Sequence, residues 1–239
     1  MASKHDISHS LTEVFGDEIV TAKYLYRTFT IGESERKIAT RKGRICGLTK
    51  LPLDRLAIVL NSGVVEIWNV KNKSHVVTIG ILDRIFVCSL VLCGDDLAAL
   101  LCFNRVVIWD HSRLETVSII DEDVSSLTSL PNGLIVTGSV NGIKIWEPLT
   151  GKLVRSSEEK FYVDEILSAF GSLIVVCRRG VEIWNSDTVE RKEILWKSGN
   201  EKYVEKLALL PNGNFSYTCG LGTRRRSPEG SLISPSFLV

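Results

Sequence analysis

The chain has 239 residues, of which 44% are hydrophobic and 24% are charged, a composition typical of an ordinary globular protein. Its 29 basic and 28 acidic residues leave a net charge of +1, which argues against a general electrostatic role on nucleic acids or membranes. The N-terminus lacks a continuous apolar segment, and no window approaches the roughly 18 apolar residues of a spanning helix. We therefore expect a cytoplasmic protein, with the nucleus as the alternative.

Residues 1–40 predict a first, degenerate copy of a unit that recurs along the chain. The segment FGDEIV at 15–20 aligns with FGSLIV at 170–175. Carrying this alignment forward places Phe29 at the position of Trp184. Strands are expected at about 6–14, 17–22, 24–30 and 35–40.

The next four units contain short apolar runs separated by turn residues, the pattern of successive antiparallel strands. They extend over residues 44–80, 84–120, 123–157 and 162–196. The clearest stretch is LPNGLIVTGSVNGIKIWEPLTGK at 130–152, which predicts two strands with a turn between them and a turn on either side. Runs that are apolar throughout, such as 85–93, are typical of strands buried on both faces.

A sixth unit begins with the same signal and then departs from it. LPNG at 210–213 repeats LPNG at 130–133, so strands are expected at 203–210 and 215–218. By this register a tryptophan is expected near Arg226, but the chain there reads TRRRSPEG, which has no strand pattern. We predict that the repeats occupy residues 1–222 and that residues 223–239 form a degenerate tail.

Four tryptophans close similar segments in the second to fifth units. Trp68, Trp109, Trp146 and Trp184 end the segments GVVEIWN, RVVIWD, GIKIWE and GVEIWN, at spacings of 41, 37 and 38 residues. A period near 40, with a tryptophan closing the third strand, is typical of four-stranded propeller blades. We expect these side chains to be largely buried at equivalent sites between adjacent blades.

In this pattern the chain resembles the WD-repeat β-propeller family. Trp109-Asp110 is the only literal Trp-Asp pair, and no Gly-His pair precedes a first strand, so the buried His–Asp network of that family is not expected here. The resemblance implies an all-β fold, a β-propeller of four-stranded antiparallel blades. It implies five clear repeats and a degenerate sixth, in a six-bladed or incomplete ring.

No motif in the sequence points to catalysis, a cofactor or a metal site. The six cysteines form no C-x-x-C pair, the four histidines are scattered, and the carboxylates at 95–96 and 121–123 fall in predicted turns. Nucleotide-binding and nucleophile motifs are absent from the sequence. The short basic run RRRSP at 224–228 is compatible with phosphate binding, a localisation element or a solvated tail.

Because the strands build the core, we expect specificity to lie in the loops, and the predicted function is a scaffold or adaptor that binds other proteins or peptide motifs. In a propeller the connections into each first strand and the turns between second and third strands share one face. Arginine and tyrosine are common at binding hot spots. The predicted partner-binding residues are Arg44, Arg84, Arg105, Asp123, Asn141, Tyr162, Arg178, Arg179 and Tyr203.

Two other functions remain open from the sequence. A propeller enzyme with a site in the central funnel would need ionisable residues on several first strands, where only Asp164 and Glu165 stand out. A phosphate or nucleic-acid binder would use arginine-rich loops such as Arg178 and Arg179, and its binding would depend steeply on salt. No membrane partner and no small-molecule substrate are predicted.

Overall fold

The chain folds as a series of short antiparallel β-sheets. The structure, a computed structural model, describes residues 10–15, 18–23, 27–32, 38–40, 43–80, 87–94, 96–102, 105–113, 115–169, 171–197, 204–209, 215–219 and 222–226. Within these ranges there is no helix, and hence none long and apolar enough to cross a membrane. The chain divides into two compact units, residues 1–117 and 118–239, and the division falls within the strand that ends the third sheet.

The first three sheets each have four strands in sequential order. The first contains β1 (Ser10–Phe15), β2 (Glu18–Lys23), β3 (Thr28–Ile31) and β4 (Ile38–Ala39). The second contains β5 (Ile45–Leu51), β6 (Arg55–Leu60), β7 (Val64–Asn69) and β8 (Ser74–Gly80). The third contains β9 (Val87–Leu92), β10 (Leu97–Cys102), β11 (Arg105–Asp110) and β12 (Glu115–Ile120).

Two more four-stranded sheets and one of three strands follow in the second unit. The fourth contains β13 (Ser126–Ser129), β14 (Ile135–Ser139), β15 (Gly142–Glu147) and β16 (Lys152–Ser156). The fifth contains β17 (Val163–Ala169), β18 (Ser172–Cys177), β19 (Gly180–Asn185) and β20 (Arg191–Lys197). The sixth contains, among the described residues, β21 (Val204–Leu209), β22 (Phe215–Cys219) and β23 (Gly222–Arg226).

Within each unit, successive sheets pack against one another in a blade-like manner. The first strands β1, β5 and β9 are neighbours in the first unit, and β13, β17 and β21 are neighbours in the second. Apolar clusters fill the space between successive sheets, and the second and third strands of each sheet carry most of the buried side chains. The predicted repeated all-β architecture is therefore confirmed, and the second to fifth units have their four predicted strands.

The four repeat tryptophans occupy equivalent positions, as predicted. Each is the fifth residue of a six-residue third strand and is buried, with between 1% and 9% of its surface exposed. Trp68, Trp109 and Trp184 share clusters with side chains of the preceding sheet. In β7, β15 and β19 the pairing to the outer strand shifts register immediately before the tryptophan, the kind of local kink that a β-bulge produces.

The residue after each tryptophan caps the turn that leads to the outer strand. Its side-chain oxygen accepts backbone N–H groups two or three residues further on, as short polar side chains commonly do in turns. The acceptors and donors are Asn69 with Asn72 (2.8 Å), Asp110 with Ser112 and Arg113 (2.9 and 2.8 Å), Glu147 with Leu149 (3.1 Å), and Asn185 with Asp187 and Thr188 (2.7 and 3.1 Å). Asparagine, aspartate and glutamate therefore perform one structural task here.

Three of the repeat tryptophans donate their indole N–H to a side-chain oxygen of the same strand or of the neighbouring strand. The acceptors are Glu66 Oε2 for Trp68 (3.0 Å), Glu182 Oε2 for Trp184 (3.0 Å) and Thr137 Oγ1 for Trp146 (2.8 Å). Trp109 Nε1 has no partner among the described residues, because both equivalent positions are apolar: Val107 two residues earlier and Leu100, which pairs with it in β10. Two of the four indoles thus bind a carboxylate that is completely buried.

The first unit departs from the predicted register. Phe29 is buried and its ring centroid lies 5.2 Å from that of Trp68, but it is the second residue of β3 and pairs with Ala22. It therefore does not occupy the position of Trp184, and that prediction is wrong. The reason is the position and length of the connection: β2 ends one residue later than β18 does in the alignment, and four residues connect it to β3, whereas two connect β18 to β19.

Residues 223–226 also differ from the prediction that this part of the chain has no strand pattern, because Gly222–Arg226 form β23. Phe215 pairs with Arg226 as Leu173 pairs with Trp184, so Arg226 occupies the predicted tryptophan position in the register. Only two residues separate β22 from β23, which favours a hairpin whatever the side chains of the second strand. The remainder of the predicted tail, residues 227–239, lies outside the described residues.

Candidate functional site

At the edge of the fifth sheet, in the second unit, three of the nine predicted binding residues lie together, and a fourth, Asn141, lies beside them. The segment 157–162 leads into β17, and the turn Arg178–Arg179 joins β18 to β19. Since β17 pairs with β18 and Val163 lies opposite Cys177, these two connections meet at one edge. We call Glu159, Phe161, Tyr162, Arg178 and Arg179 the rim.

The rim segment is closed against the turn between β14 and β15. Gly142 has a φ of +92°, and an added Cβ would come within 2.7 Å of the Glu159 carbonyl oxygen. The Ile143 N–H donates to Ser157 Oγ at 3.1 Å, and Ser157 Oγ donates to the Glu159 carbonyl at 2.9 Å. This close approach places the exposed Asn141, which precedes the glycine, next to the rim.

Arg179 belongs to a network of ion pairs that extends into the core. Its Nη1 donates to Glu159 Oε2 at 2.8 Å, and its Nε lies 3.2 Å from Oε1 of the completely buried Glu182. Arg191 Nη1 lies 3.6 Å from both carboxylates. The contact at Glu182 Oε1 is an ion pair without an aligned hydrogen bond, so charge rather than hydrogen-bond geometry stabilises that oxygen.

The guanidinium of Arg179 also packs on an aromatic pair. It lies 4.6 Å from the ring centroid of Phe161, whose ring stacks on Trp184 at 5.1 Å with an interplanar angle of 18°. The hydrogen bond from Arg179 and the nearby positive charge of Arg191 lower the pKa of Glu159. Two acids and two bases therefore balance one another, and the network anchors the rim to the repeat tryptophan.

Arg178 has a different environment from its neighbour. Its guanidinium lies 5.5 Å from the ring centroid of Tyr162, a residue that is 38% exposed, and it makes no ion pair with any described residue. Partial burial raises the pKa of Asp164, and the positive charge of Arg178 opposes that rise. Burial likewise raises the pKa of Glu165. Arg178 and Tyr162 thus form an exposed cation–aromatic pair with a carboxylate nearby.

The remaining predicted binding residues are not gathered at this rim. In the first unit Arg44 is exposed and exchanges two hydrogen bonds with Asn61, both at 2.9 Å, which fixes one turn edge of the second sheet. Arg105 begins β11 and is half-buried, and Asp123 is exposed in the segment before β13. Arg84 and Tyr203 lie outside the described residues.

Arg178 and Arg179 are both predicted to bind a partner, and that stays a prediction, but their surroundings in the structure differ. Although 41% of the Arg179 side chain is exposed, its guanidinium forms ion pairs with Glu159 and Glu182 and packs on the ring of Phe161. The prediction missed the network residues Glu159, Glu182 and Arg191. A usable signal was present, because a glutamate precedes the tryptophan by two positions in both GVVEIWN and GVEIWN.

The described part of the chain shows no arrangement of three or more His, Cys, Asp or Glu side chains that would hold a metal ion. Cys46, Cys93, Cys102 and Cys177 are buried and form no disulfide with one another, and burial raises the pKa of Cys93 to about 12. Burial is also the main cause of the raised pKa of Cys177. Both of these thiols therefore remain protonated at neutral pH.

Comparison with known proteins supports the fold alone. No family model and no curated protein matches the chain. Among solved structures, the chain is similar to the computationally designed Ika8 protein, with a TM-score of 0.64 and 13% sequence identity. The likeness covers 95% of this chain and 86% of the designed chain.

Proposed function

We propose that the chain is a WD-repeat-like β-propeller that serves as an interaction scaffold or adaptor, binding other proteins or peptide motifs through its loops. The observation that supports this most directly is the rim, where an exposed arginine rests over an exposed tyrosine at a turn edge. The strands that support the rim, β18 and β19, are almost fully buried, so their side chains contribute to stability and are not accessible to a partner. Arginine and tyrosine anchors on a rigid support are typical of interaction surfaces.

The proposal includes a propeller arrangement of these sheets, in a six-bladed or incomplete ring. A blade edge left open would expose unpaired strand groups, and ring closure removes that liability. We also propose that the protein works in the cytoplasm, with the nucleus as the alternative.

The test is affinity capture with matched surface variants. Tyr162→Ala combined with Asn141→Ala removes two exposed side chains at the rim, while Leu153→Ala combined with Arg155→Ala removes two from the fully exposed outer strand β16. We expect the rim variant to lose partners that the unaltered chain and the β16 variant both retain, at unchanged unfolding temperature. Equal partner recovery by all three proteins would contradict binding at the rim.

A further inference from the structure

The two adjacent arginines of the rim have different tasks. We infer that Arg178, held over Tyr162, is the anchor for a carboxylate on a partner peptide, and that Arg179 takes no part in binding that partner. This inference rests on the proposed function and names the chemistry of its ligand. Arg179 is excluded because Glu159 and Glu182 already neutralise its charge.

The guanidinium of Arg178 is oriented by a contact that leaves its N–H donors available. Its contact is with an aromatic ring, and a ring contact of this kind uses none of the five N–H donors of arginine. Orientation by the ring reduces the side-chain freedom that would be lost on binding. Arg178 therefore offers a pre-oriented donor group, which is the property expected of a binding anchor.

The charges around Arg178 favour a singly charged ligand over a doubly charged one. A guanidinium matches the planar oxygens of a carboxylate in a bidentate arrangement. Asp164 is close enough to interact electrostatically with Arg178, and its negative charge repels a second anion. A phosphoryl group carries a charge of about −1.5 to −2, so it suffers more of this repulsion than a carboxylate does. The same rim presents the Tyr162 ring to a neighbouring side chain of the peptide.

The experiment uses the full chain and an array of synthetic peptides in matched triplets. Members of a triplet differ only at the central residue, which is glutamate, glutamine or phosphoserine, within the same randomly chosen flanking sequence. We expect a subset of glutamate members to bind more tightly than both of their counterparts. The array probes a carboxylate directly, so it does not depend on knowing the natural partner.

Variants of the chain assign the preference to one guanidinium. Arg178→Ala is expected to weaken binding of these glutamate members about 10-fold or more, the scale for losing hydrogen bonds to a charged group. Arg178→Lys, which keeps the charge but loses the planar fork, is expected to weaken it less than Arg178→Ala does. Arg155→Ala, which removes an exposed arginine of β16, is the matched control and is expected to change nothing.

Four outcomes would overturn the inference. They are an array in which no glutamate member exceeds its glutamine counterpart, a preference for phosphoserine over glutamate, glutamate binding that survives Arg178→Ala, and a loss caused equally by Arg155→Ala. The proposed function is judged separately, by partner capture with the Tyr162 and Asn141 variant. A rim that binds proteins without a carboxylate preference would therefore retain the function and refute only the ligand.

Discussion

Replacement of Arg179 by alanine tests the interpretation that this residue is structural. The change leaves Glu182 buried with its charge balanced only by Arg191, at 3.6 Å. Breaking a buried ion pair by removing one partner typically costs 3 to 5 kcal/mol, and we expect about 2 to 3 kcal/mol here because Arg191 remains and Arg179 is 41% exposed. At about 2 to 4 °C per kcal/mol for a chain of this size, the unfolding temperature should fall by about 4 to 12 °C.

The measurement is urea unfolding of Arg179→Ala beside Arg178→Ala as the matched control. Arg178→Ala removes an exposed arginine from the same turn and is expected to change the free energy of unfolding by less than about 0.5 kcal/mol. Both variants should be repeated with Glu182→Gln, which removes the buried charge while keeping the side-chain volume. In that background the cost of Arg179→Ala should fall below about 1 kcal/mol, because only the half-exposed pair with Glu159 is then lost.

Two results would refute this interpretation of the network. Equal stability of Arg178→Ala and Arg179→Ala would show that Glu182 does not depend on the arginine above it. An unchanged cost of Arg179→Ala with Glu182→Gln would show that the loss comes from packing on Phe161 and not from charge.

Two further predictions concern the repeat positions. Trp146→Ala is expected to lower the free energy of unfolding by about 3 to 5 kcal/mol, because it empties a buried aromatic site. Thr137→Val removes only the acceptor of the indole N–H and should lower it by about 1 to 3 kcal/mol. A loss below about 1 kcal/mol for Trp146→Ala would contradict the burial of this side chain. Asp110→Ala is expected to cost about 1 to 3 kcal/mol at neutral pH, and Asp110→Asn less, since the amide keeps an acceptor oxygen. The backbone N–H of Arg113 is the main cause that lowers the pKa of Asp110 below its ordinary value of 3.8, so its contribution is complete above that value and is lost as pH falls through the lower folded-state pKa. Acid unfolding that is identical in the unaltered protein and in Asp110→Asn would show that the turn does not depend on the ionised carboxylate.

The second to fifth units could be predicted because several sequence signals agreed. Apolar alternation, turn residues and the tryptophan period all specify the same strands, as at β14 and β15 between the turns of 131–133 and 148–151. The period alone predicted the equivalence and burial of the tryptophans. Where local and long-range signals coincide, the strand limits differ from the prediction by only a few residues.

The strand predictions fail where a strand forms because of its pairing partner and not because of its own sequence pattern. β23 has no strand pattern of its own, but it follows β22, which carries the buried Phe215 and Tyr217, after only two residues. Phe29 was misplaced because an alignment without gaps cannot account for the longer connection into β3.

The candidate site was predicted in part for a similar reason. Exposed arginine and tyrosine residues in turns are recognisable from the sequence, and Tyr162 and Arg178 do lie together at the rim. Which arginine forms structural ion pairs depends on Glu182. The repeated glutamate two positions before the tryptophan singles out Glu182, but it does not show which basic side chains approach it. Its burial follows from Arg179 and Arg191, which approach it from a turn and from the adjacent strand.

The different partners of the indole N–H groups also give the molecule a set of built-in spectroscopic labels. Trp68 and Trp184 donate to carboxylates, Trp146 donates to a hydroxyl, and Trp109 has no acceptor among the described residues. Indole N–H resonances are sensitive to their acceptor, so the two carboxylate-bound protons, the Trp146 proton and the Trp109 proton should form three distinguishable groups in a nuclear magnetic resonance spectrum. Since each proton belongs to a different sheet, their hydrogen exchange would report the opening of the second, third, fourth and fifth sheets one at a time, without any added probe.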